Sequence, residues 1–333
     1  MRMLRTFLLI AGVIVSVYLI LQMGPGEILA RLSRIGWGFV PIAALYAGHQ
    51  ALRAWALRLS AARPEAVPYL DALAVCFSGE AIQFLTSTGP FLAEPSKALL
   101  LGRHGLTTTE GFAVTIGEYL AYTFVSAAML AIAMVYIVVR VVVGSALRNT
   151  AIALLVVSVL FLGVSAVAIS NRIYLIGGVM SRLGRLPVVG RRVRLDAEAV
   201  RRMEDLLLGV LRERPGRFTK ILLLEILAHA LLVVELWWML RMSEVASGFD
   251  RALLLESASK FTGLAFFFIP GQVGASEGVN IVLFRALGFS GAAGVGVALA
   301  RRVRSAVAAG AGLAALALIT RRSRALRRRH PET

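Results

Sequence analysis

Acidic and basic side chains lie inside apolar stretches of this sequence, where an unpaired charge is costly. Glu118 occupies a long apolar run, and Arg301 and Arg302 stand between two others. An arginine guanidinium binds a carboxylate or a phosphate through two parallel hydrogen bonds. We therefore expect these arginines to meet a carboxylate, for which Glu118 is a candidate, or to face a water-filled cavity that admits a phosphate-bearing lipid headgroup.

The segment 270–278, PGQVGASEG, has the sharpest local pattern. Pro270 removes a backbone donor and ends the incoming helix, while glycines let the backbone approach another backbone or a ligand. Glu277 falls in the first turn of the outgoing helix, where the dipole favours a carboxylate and free N–H groups could bind an anionic headgroup. A packing hinge capped by Glu277 is the alternative. The other candidate positions are Gly271, Gln272, Gly274 and Gly278.

An earlier segment follows the same logic. Gly89 and Pro90 break an apolar stretch, and Glu94 and Lys97 follow at the i,i+3 spacing that lets them neutralise each other on one helix face. Pairing lowers the cost of burying such charges without indicating a function by itself. The corresponding i,i+4 pair in the helix before the later break is Glu256 and Lys260.

Three further polar residues, His49, Glu225 and His229, also lie in apolar stretches. Glu225 and His229 share a helix face at i,i+4 and could relay protons or bind a metal ion. A metal needs further ligands that the sequence does not identify, so hydrogen bonding between helices is the favoured interpretation. A catalytic triad order, a phosphate loop and an HExxH motif are all missing from the sequence. We therefore expect no metal, no cofactor and no enzymatic activity.

Composition places the chain in a membrane. Of its 333 residues 58% are hydrophobic, and its mean hydropathy is +0.77, whereas a soluble domain is nearer one half apolar. The net charge of +17 lies mainly between apolar runs, without the interleaved aromatic residues of a nucleic-acid surface, so nucleic acid is not an expected partner. The single cysteine, Cys76, excludes an intramolecular disulfide and a cysteine-based zinc site.

Apolar runs of about 20 residues or more predict membrane-spanning helices and hence an all-α, polytopic fold. The six predicted spans are 4–23, 37–59, 110–139, 150–170, 218–240 and 292–319. The first is interpreted as a retained helix because no cleavage site of small residues follows it. Two other apolar regions, 69–103 and 250–287, are broken near their middles by proline and glycine. Because the arm after each break is too short for a bilayer, both are predicted to be re-entrant hairpins.

The distribution of arginine predicts the orientation, since short cytoplasmic connections carry the excess of Lys and Arg. With the N-terminus inside, six crossings and two hairpins place the arginine-rich segments 171–217 and 321–330 in the cytoplasm. Both termini are therefore expected on the cytoplasmic side of the membrane. Helical spacing over 196–214 predicts an amphipathic helix lying on the membrane surface. Its apolar stripe comprises Val200, Met203, Leu207, Val210 and Leu211.

The two broken regions indicate an internal repeat, for which chance is the alternative because few residues are identical. Setting Glu94 on Glu277 aligns the halves without gaps as far as Glu118 on Arg301. A hairpin plus one span crosses the membrane an odd number of times and two spans separate the copies, so the second copy is expected to be inverted. Discontinuous helices in inverted repeats are typical of secondary transporters, with the site near the midplane. The predicted organisation begins with two spans in 1–68 and the first repeat in 69–139. Residues 140–240 follow and contain two linking spans with the basic loop 171–217 between them. The second repeat occupies 241–319, and a basic tail occupies 320–333.

Several of these residues carry a resemblance to a known family. In the second half they are Glu256, Ser257, the run 266–271, Gly274, Glu277, Gly278, Gly288, Arg301 and Arg302, and in the first half they are Pro90, Glu94, Lys97 and Gly105. The chain resembles the flippase-like family named for the membrane region of lysylphosphatidylglycerol synthase, and the likeness is greatest to stand-alone members associated with hopanoid biosynthesis. Tyr119 stands where many members have arginine. The resemblance implies movement of lipids between leaflets, such as aminoacylated phospholipids, polyprenyl-linked sugars or hopanoids, without the aminoacyl-transferase domain of two-part synthases.

Three functions stay open at this point. The leading hypothesis is a lipid flippase or transporter whose hairpins form a midplane cavity lined by Glu94, Glu277, Arg301 and Arg302. The alternative is a membrane-embedded lipid-modifying enzyme, or an accessory subunit that presents a lipid to a transferase; a structural scaffold is a weaker third. Membrane lipids are the expected ligands, and a second copy of the chain or a lipid-biosynthesis protein is a candidate partner.

Overall fold

A computed structural model of the chain describes Gly26, Ser33 and residues 36–86, 90–102, 106–140, 144–171, 173–174, 197–243, 245, 248–265 and 274–329. The predicted span 4–23 lies outside the described residues, as do residues 172 and 175–196 of the basic loop. Every regular element within them is helical, as predicted. The α-helices are α1 (Phe39–Ser60), α2 (Tyr69–Thr86), α3 (Pro90–Leu101), α4 (Thr108–Arg140), α5 (Ser145–Ser170), α6 (Ala197–Glu213), α7 (Pro215–Met242), α8 (Phe249–Ala265), α9 (Ala275–Ala286) and α10 (Gly291–Arg329).

Three of the described helices, α4, α5 and α7, are long and apolar enough to cross a bilayer, and they contain the predicted spans 110–139, 150–170 and 218–240. Only 11% of the most apolar window of α5 is buried by protein, so most of its aliphatic side chains face outwards, as a lipid-facing helix requires. The predicted spans 37–59 and 292–319 correspond to α1 and to part of α10, which continues into the basic tail. The full number of crossings stays a prediction.

Both broken regions are pairs of short helices, α2 with α3 and α8 with α9. The second helix of each pair has 12 residues, which is about 18 Å of helix against a hydrocarbon core of about 30 Å. Helix α3 begins at Pro90, whose fixed φ suits the first helical position. Gly274, which precedes α9, has a φ of 82°, a left-handed value that residues with a Cβ rarely adopt. That both hairpins are re-entrant in a membrane stays a prediction.

The two halves of the chain are intertwined through the hairpins. The leading arm of the first hairpin, α2, packs against α10 of the second half, and the leading arm of the second hairpin, α8, packs against α4 of the first half. The trailing arms α3 and α9 pack instead against the long helix of their own half, α4 and α10. The alignment of Glu94 with Glu277 also sets Thr108 on Gly291, the first residues of α4 and α10. The halves therefore correspond in the starting points of their long helices and in the packing of their arms.

Three glycines allow these helices to pack backbone to backbone. A Cβ on Gly312 of α10 would overlap the carbonyl oxygen of Phe77 on α2. Gly111 and Gly294 hold equivalent positions in the repeat. A Cβ on Gly111 would lie 2.5 Å from a backbone carbonyl oxygen of α3, and a Cβ on Gly294 would lie 2.8 Å from one of α9. Small residues at such crossings let membrane helices gain van der Waals contact. These three positions were not predicted from the sequence.

Helix α6 is the amphipathic helix predicted over 196–214, but its apolar stripe meets protein. Val210 packs in one cluster with Ala56 of α1 and Ala121 of α4. The expectation that this stripe lies on the membrane surface is therefore wrong, because helical periodicity identifies a face to be buried without showing whether protein or lipid buries it. The buried members of the stripe are Met203, Leu207, Val210 and Leu211.

Candidate functional site

A first-half cluster of charges, formed by Arg53, Glu94, Lys97 and Glu118, joins α1, α3 and α4. One oxygen of the fully buried Glu118 carboxylate accepts a 2.7 Å hydrogen bond from Arg53 Nε, and Arg53 Nη2 lies 2.6 Å from it. The other oxygen accepts a 3.3 Å hydrogen bond from Lys97 Nζ. Lys97 also lies 2.8 Å from Glu94, which confirms the predicted i,i+3 pair. Gly79 leaves room for the lysine, since a Cβ there would lie 2.8 Å from the Lys97 side chain.

A second-half cluster, formed by Glu256, Lys260 and Arg301, joins α8 and α10. Lys260 Nζ lies 2.9 Å from one oxygen of Glu256, which confirms the predicted i,i+4 pair. The other oxygen accepts a hydrogen bond from Arg301 Nη2. Because one carboxylate contacts two cations, this cluster carries a surplus positive charge. Its members are nearly buried, with side-chain exposures of 4%, 15% and 19%.

Glu277 has two roles at the second hairpin tip. Its Oε2 accepts hydrogen bonds from the Gly274 N–H at 2.8 Å and from Ser276 Oγ at 3.0 Å, so it caps α9 as one of the two interpretations expects. Its Oε1 lies 2.8 Å from Nη2 of Arg302 on α10. The carboxylate has no exposed surface, whereas the Arg302 side chain remains 28% exposed. The tip is thus tied to α10 through a guanidinium that can still be reached.

A further ion pair, which the sequence analysis did not predict, links α7 to α10. Nη1 of Arg304 donates hydrogen bonds to both oxygens of Glu235, at 2.9 Å and 2.8 Å. The guanidinium also lies 3.9 Å from the centroid of the Tyr46 ring, where the ring quadrupole attracts a cation. The i,i+3 spacing of Arg301 and Arg304 places both on one face of α10, and this spacing could have indicated that each needs a separate acidic partner.

The prediction that Glu118 partners the arginines of the last helix is wrong. The trailing arms pack against the long helix of their own half, so Glu118 on α4 pairs with α1 and α3, and the arginines on α10 pair with α7, α8 and α9. Equivalent positions in the repeat therefore acquire separate partners instead of pairing across it. Glu118 contacts Arg53 and Lys97, whereas Arg301, Arg302 and Arg304 contact Glu256, Glu277 and Glu235.

Tyr122 on α4 connects the first-half cluster to the second-half cluster. The Arg53 guanidinium lies 4.4 Å from its ring centroid, and Lys260 Nζ donates a 3.4 Å hydrogen bond to its hydroxyl. The ring also lies 4.6 Å from the ring of His229. Tyr122 stands one helical turn after Glu118, and this i,i+4 spacing is the local signal that could have indicated its role. The first-half cluster and the second-half cluster thus form one connected polar network between the packed helices.

The two histidines form hydrogen bonds that link helices, which is the favoured interpretation of the sequence. His229 Nδ1 lies 2.7 Å from the Glu225 carbonyl oxygen and Nε2 lies 2.7 Å from Ser126 Oγ on α4. Because a carbonyl only accepts, Nδ1 carries the hydrogen, and a neutral ring accepts the Ser126 hydroxyl at Nε2. His49 Nδ1 on α1 lies 3.1 Å from the Ala228 carbonyl oxygen. Within the described helices, no three His, Cys, Asp or Glu side chains are grouped as a metal site requires.

The break itself is described only in part. Gly274 has a left-handed φ of 82°, which suits a glycine at a break between helices. Gly278 lies within α9, and nothing among the described residues comes within 4 Å of the place its Cβ would occupy. The close backbone approach predicted at Gly278 is therefore not made by any described part of the chain. Gly89, Pro270, Gly271 and Gln272 lie outside the described residues, and only the backbone of Pro90 is described.

The sequence matches the family described as "Lysylphosphatidylglycerol synthase TM region" over residues 8–329. No curated protein and no solved structure compared with the chain gave a match. The matched range includes both broken hairpins and every side chain of the polar network. Apolar helices able to cross a bilayer agree with a membrane region of this kind. The chain therefore belongs to the lysylphosphatidylglycerol synthase TM-region family and is a lipid-related membrane protein.

Proposed function

We propose that the protein is a lipid flippase or transporter of a bacterial cytoplasmic membrane, with both termini in the cytoplasm. Its ligand is an amphiphilic lipid with an anionic headgroup, bound between the two broken hairpins. The observation that carries the proposal is the connected network of buried ion pairs, from Glu94 through Tyr122 to Arg301. Charged side chains within membrane helices are rare and mark substrate paths or proton relays.

Buried arginine nitrogens without an acceptor support an anionic ligand. Nε of Arg301 and Nε of Arg304 have no hydrogen-bond partner among the described residues, although both guanidinium groups pair through other nitrogens. A phosphate oxygen is an acceptor that suits the planar guanidinium fork. The surplus positive charge of the second-half cluster adds to this preference. A phosphate-bearing headgroup would supply both the missing acceptor and the missing negative charge.

The hairpin tips supply groups that could bind a headgroup. Because Arg302 remains 28% exposed while it contacts Glu277, an incoming phosphate can compete with this carboxylate for the guanidinium. At the first tip, Lys97 contacts one oxygen of Glu94, and the other oxygen has no hydrogen-bond partner among the described residues. An ammonium or hydroxyl group of a lipid can donate to it. An aminoacylated or sugar-bearing headgroup would thus find donors near Arg302 and an acceptor at Glu94.

The broken helices support movement of a lipid rather than its static storage. A break at membrane depth leaves backbone groups unpaired, and these are tolerated only where they are buried in protein or line a polar cavity. In transporters built from inverted repeats, one half rocks against the other and exposes a central site to each side in turn. The equivalent starting points of α4 and α10 in the aligned repeat support such a mechanism here.

Reconstituted liposomes test the proposal. The probe is phosphatidylglycerol with a fluorescent acyl chain, and dithionite quenches only the label in the outer leaflet. We expect the wild-type protein to make the inner label accessible. Glu277→Gln should slow this transfer about tenfold. The Gly274 N–H and the Ser276 hydroxyl would then donate to a neutral group, whereas a hydrogen bond to a charged group contributes roughly 1.5–3 kcal/mol. The matched control is Glu198→Gln, because Glu198 is 80% exposed in its pair with Arg202.

Transfer that is the same for neutral and anionic headgroups, or the same in Glu277→Gln as in the control, would contradict the proposal. Mass spectrometry of the total lipid separates transport from chemistry, since a transporter leaves the composition unchanged. New covalent lipid products would favour the alternative of a lipid-modifying enzyme or its accessory subunit.

A further inference from the structure

Glu225 on α7 is a buried carboxyl group that none of the described ion pairs uses. It has no exposed surface, and neither of its side-chain oxygens has a hydrogen-bond partner among the described residues. The buried carboxylates of Glu118 and Glu256 differ, since each contacts two cations. An ionised carboxylate without donors is strongly disfavoured in apolar surroundings, whereas a neutral acid is tolerated. The arrangement at Glu225 therefore accommodates the protonated acid.

Charged groups from several helices face Glu225. They are Arg53 from α1, Lys97 from α3, Glu118 from α4 and Lys260 from α8. The same region holds the titratable rings of His49, Tyr122 and His229. The remaining neighbours of α7 are α6 and α10, which carry the buried Glu204 and the Arg304 that pairs with Glu235 on α7 itself. Glu225 is thus influenced by cations of both clusters while contacting none of them.

The nearby histidine is a poorer proton carrier than Glu225. Both ring nitrogens of His229 are engaged, one with the Glu225 carbonyl oxygen and the other with Ser126. Gaining a proton would require His229 to give up the hydrogen bond that it accepts. Of Glu225 and His229, which the sequence offered as a relay, Glu225 is therefore the one whose side chain can change protonation without losing a described hydrogen bond.

We propose that Glu225 is a proton-binding site and that its proton travels together with an anionic lipid. The inference rests on the proposed lipid transport and names its coupling ion. With Glu225 protonated, the surplus positive charge of the second-half cluster is free to bind the phosphate of a headgroup. When the lipid leaves, the Glu225 carboxyl group releases its proton and its carboxylate supplies the negative charge instead. One proton and one singly charged lipid then move together without net charge transfer.

A pH gradient across the liposome membrane tests this coupling. The liposomes contain the fluorescent phosphatidylglycerol probe, and potassium with valinomycin holds the membrane potential at zero. For one proton per lipid, a gradient of one pH unit should shift the ratio of labelled lipid between leaflets about tenfold, towards the alkaline side. In Glu225→Gln, which imitates the neutral acid, transfer should continue and the ratio should stay the same with and without the gradient. Glu225→Asp keeps a titratable group and should keep the response, as should the exposed control Glu198→Gln.

A second measurement uses the wild-type protein alone, so that it does not depend on the folding of a variant. Pyranine trapped inside the liposomes should report acidification when excess phosphatidylglycerol is added to the outer leaflet. Wild-type transfer without a gradient response or without acidification would overturn the inference and leave the proposed function standing. A gradient response that persists in Glu225→Gln would also overturn it. Absence of wild-type transfer under every condition would instead contradict the proposed function itself, and the inference with it.

Discussion

Replacing Glu118 with glutamine tests whether the buried ion pairs hold the helices together. Glutamine keeps the shape of the side chain and removes its charge. Arg53, which is 15% exposed, then loses its described carboxylate partner, whereas Lys97 keeps Glu94 at 2.8 Å. Removing one partner of a buried pair costs about 3–5 kcal/mol. Because Lys97 remains paired and Tyr122 still faces the guanidinium, we expect a loss near the lower end, about 3 kcal/mol.

Denaturant unfolding of the detergent-solubilised protein, followed by tryptophan fluorescence, measures this loss. The control is Glu198→Gln, since the Glu198–Arg202 pair is 80% and 66% exposed and such pairs contribute at most about 1 kcal/mol. The double variant Arg53→Gln/Glu118→Gln should lose less stability than the two single variants together, because it leaves no unpaired charge. A loss in Glu118→Gln no larger than that of the control would refute the reasoning.

Three other substitutions address the packing, and the same unfolding assay measures each. Gly312→Ala should destabilise the protein by about 2 kcal/mol, because its Cβ would overlap the Phe77 carbonyl oxygen; Gly310→Ala, which has open space, is the matched control, and equal effects would argue against a tight crossing. Ser126→Ala removes the hydrogen bond to His229 and should cost about 1 kcal/mol, so an unchanged midpoint would count against this link between α4 and α7. Leu207→Ala should cost about 2–3 kcal/mol because the side chain is 7% exposed; an unchanged unfolding midpoint would contradict the burial of the α6 stripe by protein.

Local features of the molecule could be predicted from the sequence because they depend on residues close together in the chain. The pairs Glu94–Lys97 and Glu256–Lys260 follow from helical spacing, and both are present. Proline and glycine likewise indicated the breaks in the two hairpins. The all-α class and three apolar spans followed from composition and the length of apolar runs.

Contacts between distant helices could not be predicted in this way. Arg53 and Glu118 lie on α1 and α4, and periodicity shows that each needs a partner without showing which helices meet. The same holds for Glu235 with Arg304. Gly111 and Gly294 are an exception. Because they are equivalent glycines within the aligned range, a close approach of two helix backbones at both positions could have been predicted. Glu225 could be identified from the sequence as a candidate residue. Only the packing shows that both of its side-chain oxygens lack a described hydrogen-bond partner.

The exchange of leading arms between the halves has a consequence for how the chain can be divided. A cut between Tyr174 and Ala197 would place α2 on one fragment and α10, against which it packs, on the other. It would likewise separate α8 from α4. Each fragment alone would keep its ion pairs but would present an unfilled apolar groove to lipid, so neither should accumulate by itself. Expressed together, the fragments should reassemble as an obligate heterodimer, because the interlocked arms rather than the connecting peptide hold the halves to each other.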